Sequence, residues 1–370
     1  MDHRARRGHP ACGGRLGPRY PRLGSAASFL VSICAANKNA SAGATSPPAE
    51  NVRFADMIID IHAHYFRSEY LDLIDRHQGA QPTTFMRRRN RISNGPADVE
   101  AQLALVNRGG IDLQVLSISN HFPYFLERDD ATSMARLAND LYAQLVRQHP
   151  ERFAAFACTP LPHLQASLDE MRRALDELGM VGVTAGTSVL GKSIADHVFD
   201  DFWAELDRRR SVLFLHPVGG SAGSEMIEMS KLTWPIGAPL EDTVCLLQLM
   251  QAEIPQRFPK VKVIVPHLGG FAPFMMARLD ELQDRFLPNS APAPSQQAKS
   301  FWYDTVNAHP AALRCARETV GADRLLMGTD YPFWIDDAFA RAVDYVRRSE
   351  LPATEVDAIL GSTAQSLLGL

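Results

Sequence analysis

Several protein classes are excluded by what this sequence lacks. Its 370 residues include only five cysteines, an odd number with no Cys-x-x-Cys pair. That pattern disfavours a disulfide framework and a cysteine-based zinc site, and it indicates a reducing, cytoplasmic setting. No run of about 18 apolar residues occurs, so no membrane-spanning helix is expected. No glycine-rich phosphate loop is present, and nothing in the pattern calls for a nucleotide cofactor.

An excess of positive charge is also missing from most of the chain. The formal net charge is −4, but residues 1–56 carry eight Lys and Arg against three Asp and Glu, a balance of +5. Residues 57–370 therefore carry −9, which gives no support for nucleic-acid binding.

The first 56 residues do not have the pattern of a folded domain. They are rich in Gly, Ala, Ser, Pro and Arg and show no sustained hydrophobic period. Arginines precede a short apolar stretch at 26–36, which is the arrangement of a targeting peptide. The preferred interpretation is a disordered leader or an upstream start codon chosen in error, with Met57 as the natural start. We therefore assign 1–56 as a leader and 57–370 as the folded domain.

From Met57 onward, short apolar runs alternate with longer amphipathic ones, which predicts parallel strands joined by helices. The predicted strands are 57–61, 113–117, 154–158, 181–184, 212–215, 261–265, 301–304 and 325–327. The predicted helices are 97–108, 131–148, 168–178, 202–209, 241–258, 273–286 and 311–320. Eight strand–helix units favour a closed (β/α)8 TIM-like barrel, with a doubly wound open sheet as the alternative. Long connections at 66–96 and 218–239 then lie on the active-site face.

Histidines and an aspartate stand at the ends of these strands. His62 and His64 alternate along the first strand, so their imidazoles project to the same side, about 6–7 Å apart by strand rise. His216 ends the fifth strand, His267 the sixth and Asp330 the eighth. The carboxyl ends of barrel strands share one face, so these residues are expected to converge there.

Together they predict a site for one divalent metal, with zinc the expected ion. Thr184, and no lysine, ends the fourth strand, which disfavours a bridging modified lysine and a second metal. His121, His163 and His309 also follow strands and are weaker candidates for substrate contact. His77 and His197 are expected in loops or at the surface.

Five motifs resemble the amidohydrolase-related family, in the branch of aminocarboxymuconate-semialdehyde decarboxylase. They are IIDIHAH (58–64), LFLHP (213–217), RFPKVKVIVPHLGG (257–270), FWYDT (301–305) and GADRLLMGTDYPF (321–333). The resemblance implies a distorted (β/α)8 barrel with one zinc held by His62, His64, His216 and Asp330. It also implies that His267 is the catalytic histidine, with Asp330 able to relay a proton. A dihydroxybenzoate branch begins with Glu-x-His, so His62 indicates the other branch.

The implied activity is a metal-dependent, non-oxidative decarboxylation of a small aromatic or muconate-type carboxylic acid. The alternative is a metal-dependent hydrolase of a small lactone, amide or ester, in which Asp330 serves as general base to a metal-bound water. A non-catalytic metal-binding or scaffold protein is a third and weaker alternative. The resemblance further implies a homodimer and an arginine, in the loop after the first strand, that grips a substrate carboxylate. The basic run 87–91 lies in this loop, and which of its arginines serves, if any, stays open.

Overall fold

Short β-branched and apolar runs of this chain become the strands of a barrel in the computed structural model. The structure describes residues 57–78, 83–84, 87, 97–288, 291–307 and 309–370. The predicted leader, 1–56, lies outside the described residues, so its assignment stays a prediction. Along the described residues, no helix combines the length and the apolar character needed to cross a bilayer.

Eight parallel strands follow one another around the barrel in chain order. They are β1 (Ile59–His64), β2 (Leu113–Ser117), β3 (Phe153–Cys158), β4 (Gly182–Gly186), β5 (Val212–His216), β6 (Lys262–Val265), β7 (Trp302–Asp304) and β8 (Leu325–Leu326). The backbone N–H of Ile61 donates to Met327 O (3.0 Å), and that of His64 donates to Tyr331 O (2.7 Å), which joins β1 to the chain at and beyond β8. The predicted barrel is confirmed over the open-sheet alternative.

Nearly every strand residue is buried, because the barrel interior covers one face and the surrounding helices cover the other. In β5 all five residues, VLFLH, are buried. Phe214 of this strand lies against His62, with ring centroids 5.0 Å apart, and stacks on Phe156 at 5.4 Å. An apolar layer therefore supports the histidines from within the barrel.

Helices connect the strands and extend beyond the predicted set. They are α1 (Ser68–Gln78), α2 (Ala97–Arg108), α3 (Arg128–Gln148), α4 (Leu164–Asp176), α5 (Asp200–Arg209), α6 (Glu225–Met229), α7 (Ala238–Gln251), α8 (Ile254–Arg257), α9 (Ala272–Glu281), α10 (Pro294–Gln297), α11 (Pro310–Val320), α12 (Asp337–Arg347), α13 (Ala353–Asp357) and α14 (Thr363–Leu368).

The prediction of a single helix over 241–258 is wrong, because two helices, α7 and α8, occupy this stretch. Glu253 between them adopts a left-handed conformation with φ of 52°. Pro255 follows at the start of α8, where its missing N–H costs no helical hydrogen bond. The apolar period alone does not reveal this break.

Both long connections contain structure that was not predicted. Helix α1 forms directly after β1, because Tyr70, Leu71 and Ile74 bury one helical face. The connection after β5 contains a 3-10 turn at Ser221–Gly223, helix α6 and a π-helical turn at Thr233–Gly237. A two-stranded hairpin, Ser188–Val189 with Lys192–Ser193, follows β4.

Candidate metal centre

Four side chains that are distant in sequence meet at the carboxyl end of the barrel. His62 and His64 come from β1, His216 from the end of β5, and Asp330 from the turn after β8. One candidate ligand atom from each lies within 4.8 Å of the others, and all four residues are buried. The centroids of the three imidazole rings lie 4.9–5.1 Å apart. The predicted convergence is therefore found in the structure.

Each of these histidines uses its Nδ1 for an orienting hydrogen bond. In His62, Nδ1 lies 2.7 Å from Asp304 Oδ2; in His64, 3.0 Å from Ser117 Oγ; in His216, 2.8 Å from the Pro217 carbonyl oxygen. The carboxylate and the carbonyl can only accept, so they place the protons of His62 and His216 on Nδ1. In each of these two rings, that leaves Nε2 facing the other candidate ligands.

The remaining nitrogens fit a cation. Nε2 of His216 is buried and makes no hydrogen bond with the described residues. Nε2 of His62 and Nε2 of His64 each lie 3.2 Å from Asp330 Oδ1. Buried polar atoms are normally satisfied, so an unpartnered imidazole nitrogen beside two others that converge on one carboxylate fits a bound cation. Three imidazoles and a carboxylate form a donor set suited to a divalent transition metal.

The electrostatics of the cluster favour positive charge at its centre. Burial opposes ionisation of Asp330, but His62 and His64 hold the pKa of its carboxyl well below the usual value. Burial also disfavours a charged His62, yet Asp304 and Asp330 outweigh it and raise the pKa of its imidazole to about 10. Burial lowers the pKa of His216 well below its ordinary value. A divalent cation can take the place of the proton that these carboxylates attract.

Two buried aspartates that the sequence analysis did not single out hold the cluster in place. Asp304 accepts from His62 Nδ1 through one oxygen, and from the backbone N–H groups of His267 and Val306 through the other. Asp60 accepts from the backbone N–H of His62 at 3.1 Å and from Thr329 Oγ1 at 2.6 Å. Asp60 lies two residues before His62 on β1, and Asp304 ends the strand β7, which was the signal available in the sequence.

His267 lies beside the four residues without belonging to them. Its ring centroid is 5.3 Å from that of His62 and 6.1 Å from that of His216. The residue is left-handed, with φ of 53°, and its N–H donates to Asp304 Oδ1 at 2.9 Å. Its Nδ1 lies 2.8 Å from Asp242 Oδ2. Burial opposes the charged imidazole, but Asp242 outweighs it and raises the pKa of His267.

Aromatic rings form a wall next to the cluster. Phe66 stacks on His64 with centroids 5.9 Å apart, and Phe333 meets His64 edge-on at 5.6 Å. Trp234, from the connection after β5, stacks on Phe333 at 6.4 Å. His121 contacts Phe66, and burial lowers its pKa to about 4, so its imidazole is neutral. Such a wall suits a flat apolar or aromatic ligand.

The weaker candidates for substrate contact, His163 and His309, are not among the four candidate ligands. His163 Nε2 lies 2.9 Å from the Phe125 carbonyl oxygen, and His309 is exposed at the start of α11. Arg87 hydrogen-bonds to Asp72, Asp75 and Thr83, so a substrate carboxylate would compete with these partners. The rest of the basic run, 88–91, lies outside the described residues.

Known proteins share this arrangement of sequence and fold. The 2-amino-3-carboxymuconate-6-semialdehyde decarboxylase of Dictyostelium discoideum is 28% identical over 279 residues, which cover 74% of this chain and 77% of the relative. The gamma-resorcylate decarboxylase of Rhizobium sp. (strain MTP-10005) is 30% identical over 250 residues, which cover 63% of this chain and 76% of the relative.

A crystal structure of dihydroxybenzoic acid decarboxylase from Polaromonas sp. JS666, with bound manganese and the inhibitor 2-nitroresorcinol, has the same fold. It matches with a TM-score of 0.72 at 23% identity, covering 85% of this chain and 97% of that one. A sequence profile described as amidohydrolase matches residues 59–370, from the first barrel strand to the last residue. That match includes every residue of the cluster described above, and the chain belongs to the amidohydrolase family.

Proposed function

We propose that this chain is a metal-dependent, non-oxidative decarboxylase of a small aromatic or muconate-type carboxylic acid. The observation that carries the proposal is the cluster of three imidazoles and one carboxylate, with the unpartnered Nε2 of His216, beside His267 and an aromatic wall. The decarboxylase activity of the relatives supports the same reaction class.

His62, His64, His216 and Asp330 would hold one divalent cation. When bound, the cation supplies Lewis-acid polarisation of the substrate's oxygen atoms. Phe66 and Phe333 pack against the planar part of the substrate and exclude water from it. This orientation presents the carboxylated carbon to His267, whose ring lies beside the cluster.

The proton transfer then belongs to His267. The carbon–carbon bond to the carboxylate breaks, its electron pair stays on the substrate carbon, and carbon dioxide leaves. A proton from His267 Nε2 forms the new carbon–hydrogen bond, so no redox cofactor is required. The raised pKa of His267 favours the protonated imidazole that this step needs. Asp330, one of the four candidate ligands, can accept or relay a proton from a substrate hydroxyl.

Carbon dioxide release tests this proposal. We expect the metal-loaded protein to release carbon dioxide from at least one member of a panel of hydroxyaryl and muconate-type acids. In deuterium oxide the product should carry one deuterium at the carbon that lost the carboxylate. The matched control is the same protein after chelation of the metal. Cleavage of lactones, amides or esters without carbon dioxide release from any acid would instead establish the hydrolase alternative.

The metal, the assembly and the compartment are further parts of the proposal. Zinc suits the donor set, and manganese in the Polaromonas enzyme is the competing candidate. Exposed apolar side chains, including Met226, Met229 and Trp234, support a homodimer, because such a patch is costly in water. The cysteine pattern supports a cytoplasmic location. Elemental analysis should find one metal ion per chain. Light scattering should give the mass of a dimer. Fractionation of the source cells should place the protein in the cytoplasmic fraction. A monomeric mass would exclude the dimer.

A further inference from the structure

A buried acid outside the metal cluster has a single hydrogen-bond partner among the described residues. Asp242, on helix α7, is fully buried, and its Oδ2 lies 2.8 Å from Nδ1 of His267. Its other oxygen, Oδ1, makes no hydrogen bond with the described residues. Burial of a carboxylate is costly unless it is paired and hydrogen-bonded. Oδ1 of Asp242 contributes no hydrogen bond among the described residues that would offset this cost. The contact between Oδ2 and His267 is therefore the interaction that accounts for a buried acid at this position.

The neighbouring acid shows what a purely structural carboxylate looks like at this place. Glu241 is also buried on α7, and it accepts from Thr187 Oγ1, Val218 N and Ser221 N. It therefore ties the hairpin region after β4 to the connection after β5. Asp242 makes no such backbone contact, and its only hydrogen-bond partner among the described residues is the ring of His267.

The turn that carries His267 is fixed to the same helix. The backbone N–H of Phe271 donates to Thr243 Oγ1 at 2.7 Å, and Gly270 packs so closely on Pro239 that a side chain there would clash. The backbone N–H of His267 is held separately by Asp304. Since α7 anchors both the turn and the ring, Asp242 can set the ring orientation accurately.

We propose that Asp242 is a positioning residue, which holds the Nδ1 proton of His267 and turns Nε2 toward the substrate. A carboxylate can only accept, so it selects the Nδ1–H tautomer and leaves Nε2 as the nitrogen that exchanges protons with substrate. The inference rests on the proposed function, in which His267 delivers the proton.

Substitution Asp242→Asn tests the role, with Glu241→Gln as the matched control on the same helix. We expect Asp242→Asn to lower kcat by about 10–100-fold, with KM changed less than about threefold and metal content unchanged. In a His267→Asn background, Asp242→Asn should change kcat by less than about twofold, because the two residues act as one unit. Glu241→Gln should have the same effect on kcat in both backgrounds. Additive losses for Asp242→Asn would reduce it to a structural residue.

A spectroscopic measurement tests the same role independently of turnover. Nitrogen-15 labelling of histidine should show His267 in the wild-type protein protonated at Nδ1, with a downfield proton assigned by its loss in His267→Asn. We expect Glu241→Gln to keep that signal and Asp242→Asn to shift or lose it. A wild-type His267 protonated only at Nε2 would overturn the inference. If the Nδ1 signal behaves as expected but no acid is decarboxylated, the positioning role stands and the proposed reaction fails.

Discussion

Replacing His216 by alanine should remove the bound metal and lower turnover by at least about 10³-fold, a larger loss than the 10–100-fold typical of residues behind the ligands. His216 is 3% exposed, its Nδ1 bonds to the Pro217 carbonyl oxygen, and its Nε2 faces the cluster without a partner. The variant would lose one of the four protein donors, so its affinity for the ion should fall below what survives dialysis. Elemental analysis after dialysis, together with kcat on the identified acid, measures both effects.

The control for this variant is His309→Ala, since His309 is exposed and is not among the candidate ligands. It should keep one metal ion and wild-type turnover. A His216→Ala protein that retains a full equivalent of tightly bound metal would show that His216 is not a ligand. Loss of metal from both variants would point to general destabilisation of the fold.

Replacing His267 by asparagine should leave the metal content at one ion per chain and lower kcat by about 10²–10⁴-fold, the range for loss of a general acid. The ring lies 5.3 Å from His62 but outside the four candidate ligands. Asparagine can fill much of the space but cannot deliver a proton at neutral pH. KM should change little, because the candidate metal ligands and the aromatic side chains of Phe66 and Phe333 remain.

The matched control is His163→Asn, because the Nε2 of His163 hydrogen-bonds to the Phe125 carbonyl oxygen and the residue is not among the candidate ligands. This variant should keep kcat within about threefold, allowing for the loss of one neutral hydrogen bond. Full activity in His267→Asn would refute its proton-transfer role. The metal analysis separates the two main variants, since His216→Ala is predicted to lose the ion and His267→Asn to keep it.

Much of the cluster could be predicted because it follows local rules. Alternation along β1 places His62 and His64 on the same face, and the parallel strands bring His216 and Asp330 to the same end of the barrel. The short apolar runs of the strands and the amphipathic period of the helices between them were enough to predict the barrel. These patterns are read within a few residues of the chain, so no tertiary information is needed.

Other features could not be predicted from the sequence, because local patterns do not report how distant parts of the chain pack. The left-handed backbone of Glu253 separates α7 from α8, although the apolar period continues across it. Helix α1 forms inside a connection that looked irregular, because its apolar face finds a core to cover it. Helix boundaries of this kind depend on packing and on backbone conformation more than on local preference.

By itself, the sequence determined the barrel and the strand ends that carry the candidate ligands, and the family resemblance set His267 apart from them. Only the tertiary structure decided which nitrogen of each imidazole faces the centre. That choice rests on Asp304, 242 positions from His62, and on Asp242, 25 positions before His267 on a helix. A hydrogen-bond partner is chosen by distance and direction in space, and neither is encoded in the spacing of residues along the chain.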